Sequence, residues 1–148
     1  MAKTYFIIVA KEADTLFKKE VNLKPKHEDI IKGQTASLGK YTGKVRKVIG
    51  GDLNMLRESI RDFKEGEILV TTMTQPNMMV LAERAGAMVT DEGGITSHAA
   101  IISRELRIPC IVGCFHSMRA LNDGDVVEVD ADNGQVRILQ RVRPLKSN

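Results

Sequence analysis

One short stretch of this chain combines residue types that can carry a phosphoryl group. His98 directly follows the hydroxyl residues Thr96 and Ser97, and Gly93 and Gly94 precede them. An imidazole nitrogen is a competent nucleophile toward phosphorus. Glycines let the backbone approach a phosphate closely, and hydroxyl or N–H donors can stabilise the charge on its oxygens. His98 is therefore the candidate catalytic residue, and the two glycines and two hydroxyl residues are candidates for cradling the phosphate.

The flanking sequence predicts the elements that must position these groups. A short apolar run at residues 87–89 predicts a strand before the glycines. The segment after the histidine has helical character, and Pro109 closes it before a second apolar run. Thr96 or Ser97 can serve as the N-cap, because its side-chain oxygen can accept a hydrogen bond from a free backbone N–H. His98 then lies in the first helical turn, where free N–H groups and the helix dipole favour an anion.

A structural role for His98 is the alternative at this point. A lone histidine in a loop more often caps a helix or fills a polar gap than it performs chemistry. The neighbouring glycine pair and the two hydroxyls favour phosphoryl transfer, because together they supply the donors that this chemistry needs.

These residues also carry a family resemblance. Residues 93–101 and 104–109 resemble the signature of the mobile domain of phosphoenolpyruvate (PEP)-utilising enzymes, the swivelling phosphohistidine domain of PEP synthase, pyruvate phosphate dikinase and their relatives. The resemblance covers roughly residues 33–139. Leu38 stands where the family usually has a proline. The implied fold is α/β, a swivelling β/β/α phosphohistidine domain.

The resemblance implies a carrier function for His98. In the family, an ATP-grasp-like nucleotide-binding domain phosphorylates this histidine from ATP, and the domain then swings to a PEP/pyruvate-binding barrel domain. Those partners are expected in the same longer chain or in trans, and Mg²⁺ and ATP are expected on them rather than here. No metal or cofactor site is expected in this domain itself. The chain is therefore expected to be the phosphohistidine part of a PEP synthase-like phosphotransferase, incomplete by itself.

Two further expectations follow from the resemblance. Thr96 matches the position of a regulatory phosphorylation site in pyruvate phosphate dikinase and PEP synthase, although capping the helix is an equally simple role for it. The alternative function is a non-catalytic appended module of the same fold, structural or regulatory, in which the histidine does not turn over. Whether His98 accepts phosphate distinguishes the two functions.

The sequence patterns along the chain predict one main domain with a short extension at each end. Residues 1–32 read as a lead-in strand, helix and linker, residues 33–140 as the phosphohistidine domain, and residues 141–148 as a basic tail. Within the domain, Leu53, Leu56, Ile60 and Phe63 recur at helical spacing and predict core contacts. Met78, Met79 and Leu81 predict the buried face of a helix that begins at Pro76. Residues 126–130 and 135–139 predict a hairpin around an Asn-Gly turn.

Composition narrows the function classes. With 148 residues, 43% hydrophobic residues and a net charge of +3, the chain resembles one ordinary globular domain. Aromatics at 4% and dispersed basic residues argue against nucleic-acid binding. No apolar run approaches the roughly 20 residues that span a bilayer, so no membrane partner is expected. The N-terminus lacks a signal-peptide pattern, which makes the cytoplasm the expected location.

Two other residue groups invite a chemical interpretation and are better explained structurally. Cys110 and Cys114 have no further cysteines to complete a zinc site, which predicts two reduced thiols. Four aspartates between residues 123 and 132 suggest a calcium loop, but their spacing does not match one, so they are predicted to serve turns.

Overall fold

The structure, a computed structural model, describes residues 29–142. Within that range the strands are β1 (Ile30–Lys32), β2 (Gln34–Ser37), β3 (Lys40–Lys47), β4 (Ile68–Thr71), β5 (Ala87–Thr90), β6 (Cys110–Val112), β7 (Val126–Asp130) and β8 (Gln135–Gln140). The helices are α1 (Leu53–Asp62), α2 (Met79–Arg84), α3 (His98–Leu106) and α4 (Ser117–Ala120), and a 3₁₀ turn (Pro76–Met78) leads into α2. The strand and helix predicted in residues 1–28, and most of the predicted tail, lie outside the described residues.

The strands form one curled sheet with a parallel centre. Their order is β1-β8-β7-β3-β4-β5-β6-β2, in which β3, β4, β5 and β6 are parallel and the remaining pairs are antiparallel. The strands at the two ends of this order, β1 and β2, are separated in the chain by Gly33 alone. Two residues flanking a single residue lie at most about 7 Å apart. The two ends of the sheet therefore meet at Gly33.

The parallel strands are buried on both faces, which creates two cores. Leu69 and Met88 pack under the helices, together with Leu56, Leu81 and Ile102. The alternate residues Ile68, Val70 and Val89 point to the other face and pack against the antiparallel strands. The result is three layers, antiparallel β, parallel β and α, which confirms the predicted β/β/α architecture.

Most predicted core residues are buried, with one exception on α1. Leu56 and Phe63 are buried and Ile60 packs against them, but Leu53 is 65% exposed. Leu53 begins α1 directly after the N-cap Asp52. Helical spacing identifies the face of a helix, but it does not tell how much of that face overlaps the sheet. The prediction of Leu53 as a core residue is therefore wrong.

The N-terminal end of the sheet also differs from the prediction. Residues 30–32, assigned to the linker, form β1 and pair with residues 135–137 of β8. Ile31 is buried in this pairing. The strand is only three residues long and has polar and charged neighbours, and a pattern of alternating residues cannot identify a strand of this length.

The acidic residues near the hairpin serve turns, as the sequence predicts. Asp123 accepts a hydrogen bond from the Lys47 backbone N–H at 2.6 Å, and Asp132 accepts one from Gly39 N–H at 3.0 Å. Asp125 and Asp130 accept bonds from backbone N–H groups three residues away in the chain. Each carboxylate thereby fixes a loop, because it satisfies a backbone donor that no strand pairs.

Candidate functional site

The candidate site lies at the edge of the sheet where the parallel strands end. The loop after β5 contains the glycine pair, and the loops after β3, β4 and β6 begin at the same edge. His98 is the first residue of α3 and is partly buried. Parallel strands bring loops that are distant in sequence together at their carboxyl ends, which is where α/β proteins usually bind ligands. The sequence prediction of strand, glycine turn and helix start is confirmed here.

Ser97, not Thr96, caps helix α3. The Ser97 backbone is extended, and its Oγ accepts a hydrogen bond from the Ala100 N–H at 3.3 Å. Thr96 is exposed, and its hydroxyl makes no hydrogen bond to another described residue. Of the two candidate caps, Ser97 is therefore the N-cap, and Thr96 provides a free hydroxyl near His98.

Thr74 contacts the histidine ring. Its Oγ1 lies 3.1 Å from His98 Nδ1, although 24 residues separate the two in the chain. Thr74 lies in the loop after β4, and His98 follows the loop after the neighbouring strand β5. Sequence reasoning did not single out Thr74. The available signal was its position just beyond residues 68–72, which read as a strand, because adjacent parallel strands place such residues side by side.

The glycine loop is shaped for close approach to its backbone. Gly93 has φ +106, which side-chain-bearing residues rarely adopt. Gly94 has no such requirement, and a Cβ added there would meet nothing closer than Gln34 Oε1 at 3.9 Å. Packing therefore does not demand a glycine at position 94. The absence of a side chain at Gly94 leaves the peptide groups of the loop uncovered.

Asp91 anchors the start of this loop to the neighbouring one. One of its oxygens accepts bonds from the Ser117 backbone N–H, at 2.7 Å, and from the Ser117 hydroxyl, while the other accepts one from Met118 N–H at 3.3 Å. The Asp91 carbonyl also accepts a bond from Phe115 N–H at 3.1 Å. Asp91 is 9% exposed. These bonds fix the loop after β6 against the loop that carries the glycines.

Arg104 of α3 supports the site through two backbone carbonyls. Its Nε donates to the Ala36 carbonyl in β2 at 2.9 Å, and its Nη2 donates to the Ile95 carbonyl in the glycine loop. From its place in the sequence, two turns past His98, Arg104 is expected to face a partner domain or a neighbouring carboxylate. The structure contradicts a carboxylate partner, because two backbone carbonyls within the domain accept its hydrogen bonds. Arg104 thus ties the glycine loop to the edge of the sheet.

The two cysteines are buried thiols rather than reactive groups. Burial raises the pKa of Cys110 to about 11. Burial, followed by the charge of Asp91, raises the pKa of Cys114 to about 12. Both remain protonated at neutral pH and are poor nucleophiles. Both are free in the structure, as predicted.

No group of three or more His, Cys, Asp or Glu side chains is arranged to hold a metal ion within residues 29–142. No helix within the same residues is long and apolar enough to cross a membrane.

Comparison with known proteins supports the resemblance seen in the sequence. The model of the family described as PEP-utilising enzyme, mobile domain, matches residues 63–134. This match includes Thr74, the glycine pair and His98. A probable PEP synthase of Archaeoglobus fulgidus is 44% identical over 126 residues, and the PEP synthase of Pyrococcus furiosus is 45% identical over 127 residues.

These relatives are much longer than the present chain. The two alignments cover 85% and 86% of this chain but only 15% and 14% of the relatives. Among solved structures, aconitase X of Thermococcus kodakaraensis has a similar fold, with a TM-score of 0.52 and 22% identity. That similarity covers 75% of this chain and 98% of the other, and it concerns the fold alone.

Proposed function

Because residues 63–134 of this chain belong to the PEP-utilising enzyme mobile domain family, we propose that the chain is a phosphocarrier. His98 accepts a phosphoryl group at one site and delivers it at another. The observation that carries this proposal is the contact between Thr74 Oγ1 and His98 Nδ1, at 3.1 Å. It orients the ring at the rim of the domain. Nε2, the other ring nitrogen, is then the one proposed to react.

From this contact we assign Nε2 as the nucleophile, with Nδ1–H as the donor to Thr74. When Nδ1–H donates to Thr74 Oγ1, the lone pair of the neutral imidazole is on Nε2. That lone pair attacks phosphorus, the N–P bond forms, and the P–O bond of the donor breaks with its electron pair going to the leaving oxygen. The phosphoimidazolium that results is positively charged, and its Nδ1–H remains bonded to Thr74. In the return step an acceptor oxygen attacks phosphorus, and the N–P electron pair goes back to Nε2.

The protein supplies donors for the transferred group through backbone rather than through cations. The first N–H groups of α3 have no intrahelical acceptor, as in any helix. Ser97 Oγ binds the Ala100 N–H, which leaves the His98 and Ala99 N–H groups without an acceptor among the described residues. Together with the uncovered peptide at Gly94, they form the cradle proposed for the phosphoryl oxygens.

A partner must supply the remaining charge stabilisation. Phosphoryl transfer from a nucleotide requires Mg²⁺ and cationic groups around the phosphates. Two charged residues beside the site are already engaged, since Asp91 binds Ser117 and Arg104 binds Ala36. We therefore place Mg²⁺ and ATP on an ATP-grasp-like domain, and pyruvate or PEP on a barrel domain. The names of the relatives support this choice of acceptor, since both are PEP synthases.

The surface around His98 fits a docking role. Each loop that follows a parallel strand presents one exposed large apolar side chain, and these are Ile49, Met73, Ile95 and Phe115. Exposed apolar residues clustered at one edge are typical of interaction surfaces. A partner domain that covers this edge would exclude water from the N–P bond while the group is transferred. Because His98 must serve two such partners, the whole domain is proposed to move between them.

The proposal is tested by labelling the 148-residue chain. In the first arm, the chain is incubated with phosphoramidate, a small phosphoryl donor that needs no partner domain. In the second arm, a fresh sample is incubated with a PEP synthase of Pyrococcus furiosus whose own matching histidine has been replaced. We expect one acid-labile phosphoryl group on His98 in the first arm. In the second arm, ATP should label His98 and added pyruvate should remove the label.

The two arms separate the carrier from a non-catalytic module of the same fold. Labelling by phosphoramidate without exchange through the PEP synthase would leave His98 competent but would contradict the proposed partners. No labelling in either arm would support the non-catalytic module.

A further inference from the structure

A second concave site lies at the opposite end of the parallel strands from His98. Its cavity has a volume of about 190 Å³. The loops that lead into β4, β5 and β6 line it, and their side chains include Glu65, Arg84, Leu106, Arg107 and Pro109. The strands run away from this cavity toward the phosphoryl site, so the two sites are at opposite edges of the sheet.

The Tyr41 ring forms a fixed wall of the cavity. Its hydroxyl donates a hydrogen bond to the Gly66 carbonyl at 2.7 Å. Gly86 lies directly against the ring, since a Cβ added there would be 2.1 Å from Tyr41 Cζ. Burial, and then the charge of Glu65, raise the pKa of Tyr41, which keeps this hydroxyl a donor. The wall is therefore held in place by a hydrogen bond and by a close backbone contact.

Arg84 lines this site, and its guanidinium carbon lies 5.9 Å from the centre of the Phe63 ring. Its two Nη atoms donate to the carbonyls of Phe63 and Ile60, at 3.2 and 2.8 Å. Its Nε is buried and has no hydrogen-bond partner among the described residues. Because Nε is not accessible, a ligand in the cavity would meet the positive charge of the guanidinium rather than this atom. Arg84 also forms no ion pair with a described carboxylate.

Arg107 is a second cation on the cavity, held in a backbone conformation that suits another residue. It ends α3 with φ +57 and ψ +42, in the left-handed region. Glycine is the usual residue at that position, because a side chain there is strained. The Arg107 guanidinium makes no hydrogen bond or ion pair with a described residue. The left-handed backbone closes the helix, since the Ile108 N–H donates to the Ser103 carbonyl at 3.0 Å. What Arg107 brings to the cavity is therefore its free guanidinium.

We propose that this cavity binds a small monocarboxylate with an apolar body about the size of one ring. An apolar cavity of about 150 Å³ in another protein holds benzene, so the volume here is sufficient. Leu106 and Pro109 provide apolar walls, Arg107 provides the donors that carboxylates prefer, and Arg84 adds a second positive charge. Glu65 lines the same cavity and repels a second negative charge, which favours a singly charged ligand. This binding is independent of phosphoryl transfer at His98.

Benzoate is the probe for the test, and benzamide is its neutral counterpart of the same shape. The ¹⁵N-labelled 148-residue chain is titrated with each compound while the backbone amides and the arginine Nε–Hε signals are followed by NMR. We expect benzoate to shift the Arg84 Nε–Hε signal and the amides of Gly66, Gly86 and Leu106 in a saturable manner, with a Kd on the order of 1 mM. Benzamide should bind about tenfold more weakly.

Variants separate binding from folding and from the phosphoryl site. Arg107→Gly removes a cation while supplying the residue that its backbone favours, so the fold should persist while benzoate binding weakens about tenfold. Arg57→Gln, an exposed control on α1 away from the cavity, and His98→Ala should both bind as the parent does. Equal binding of benzoate and benzamide, parent-like binding by Arg107→Gly, or shifts centred on His98 would each overturn the proposal.

Discussion

Thr74 Oγ1 and His98 Nδ1 are 3.1 Å apart across two adjacent loops of the parallel sheet. This contact joins the end of one strand to the start of the helix that follows the next strand. It fixes the orientation of the proposed nucleophile, and it makes the tautomer of His98 depend on a residue outside the glycine loop.

Replacing His98 should remove the phosphoryl site without unfolding the domain. His98 is partly buried and makes one side-chain hydrogen bond, so His98→Ala should lower the free energy of unfolding by only about 1 kcal/mol. Acid-labile labelling by phosphoramidate should fall to background. The matched control is His116→Ala, an exposed histidine at the same edge, which should be labelled as the parent is. Equal labelling of both variants would exclude His98 from the mechanism.

Removing the Thr74 hydroxyl should change which nitrogen reacts. Thr74→Val keeps the shape of the side chain but cannot bond Nδ1, so labelling should slow about five- to tenfold. A mixture of Nδ1 and Nε2 phosphohistidine should then replace a single Nε2 product. The conservative variant Thr74→Ser should restore both the rate and the single product. ³¹P and ¹⁵N NMR of the labelled chain distinguish these isomers, and an unchanged isomer in Thr74→Val would contradict a positioning role.

Ser97 and Thr96 should differ in stability although they are neighbours with similar side chains. Ser97→Ala removes the N-cap of α3 and should cost about 1 kcal/mol of unfolding free energy. Thr96→Ala removes an exposed hydroxyl that makes no hydrogen bond within the described residues, so its effect should stay within about 0.5 kcal/mol. Urea unfolding of the two variants makes the comparison. A larger loss in Thr96→Ala would reverse the assignment of the cap.

A negative charge at Thr96 should slow labelling of His98, as the proposed regulatory role requires. Thr96→Asp places an anion beside the cradle, where it would repel the incoming phosphoryl group and compete for the same N–H donors. Several-fold slower labelling is expected, with a smaller effect at high salt because the site is exposed. The neutral variant Thr96→Asn is the control and should react normally. Slow labelling in both variants would indicate a steric effect instead.

The buried thiols should make the protein less stable at alkaline pH. The folded-state pKa values of Cys110 and Cys114 are about 11 and about 12, above the ordinary value of 9.0. Between pH 9.0 and the folded-state pKa values, the thiols of the unfolded chain lose protons that the folded ones keep. Unfolding therefore becomes easier as pH rises from about 9 toward about 11. The slope should reach at most about 1.4 kcal/mol per pH unit for each thiol. Urea unfolding between about pH 8 and about pH 10.5 measures it.

The control for this pH dependence is a double variant. Cys110→Ala combined with Cys114→Ala lowers the absolute stability by opening space in the core, but its stability should decline less steeply over the same pH range. An identical decline in the parent and the double variant would assign the effect to other groups, with Tyr41 the first to test because its pKa is also raised.

The sequence alone determined the local part of the site. The glycine pair, the hydroxyls and His98 are consecutive, so the strand, turn and helix start could be predicted from residue types and spacing. The buried strands β4 and β5 were recognisable as apolar runs, and the hairpin of β7 and β8 by its Asn-Gly turn. These features depend on neighbours in the chain, and local propensity and patterning describe such neighbours well.

Only the tertiary structure decided the rest of the site. The pairing of β4 with β5 brings Thr74 to His98, and the packing of α3 against β2 brings Arg104 to the Ala36 carbonyl. The strand at residues 30–32 and the exposure of Leu53 were likewise hidden from the sequence pattern. Contacts between distant segments depend on strand order and register, which a single sequence does not encode in any local pattern. For that reason the sequence identified the residue that carries the proposed chemistry, and the fold identified the residue that orients it.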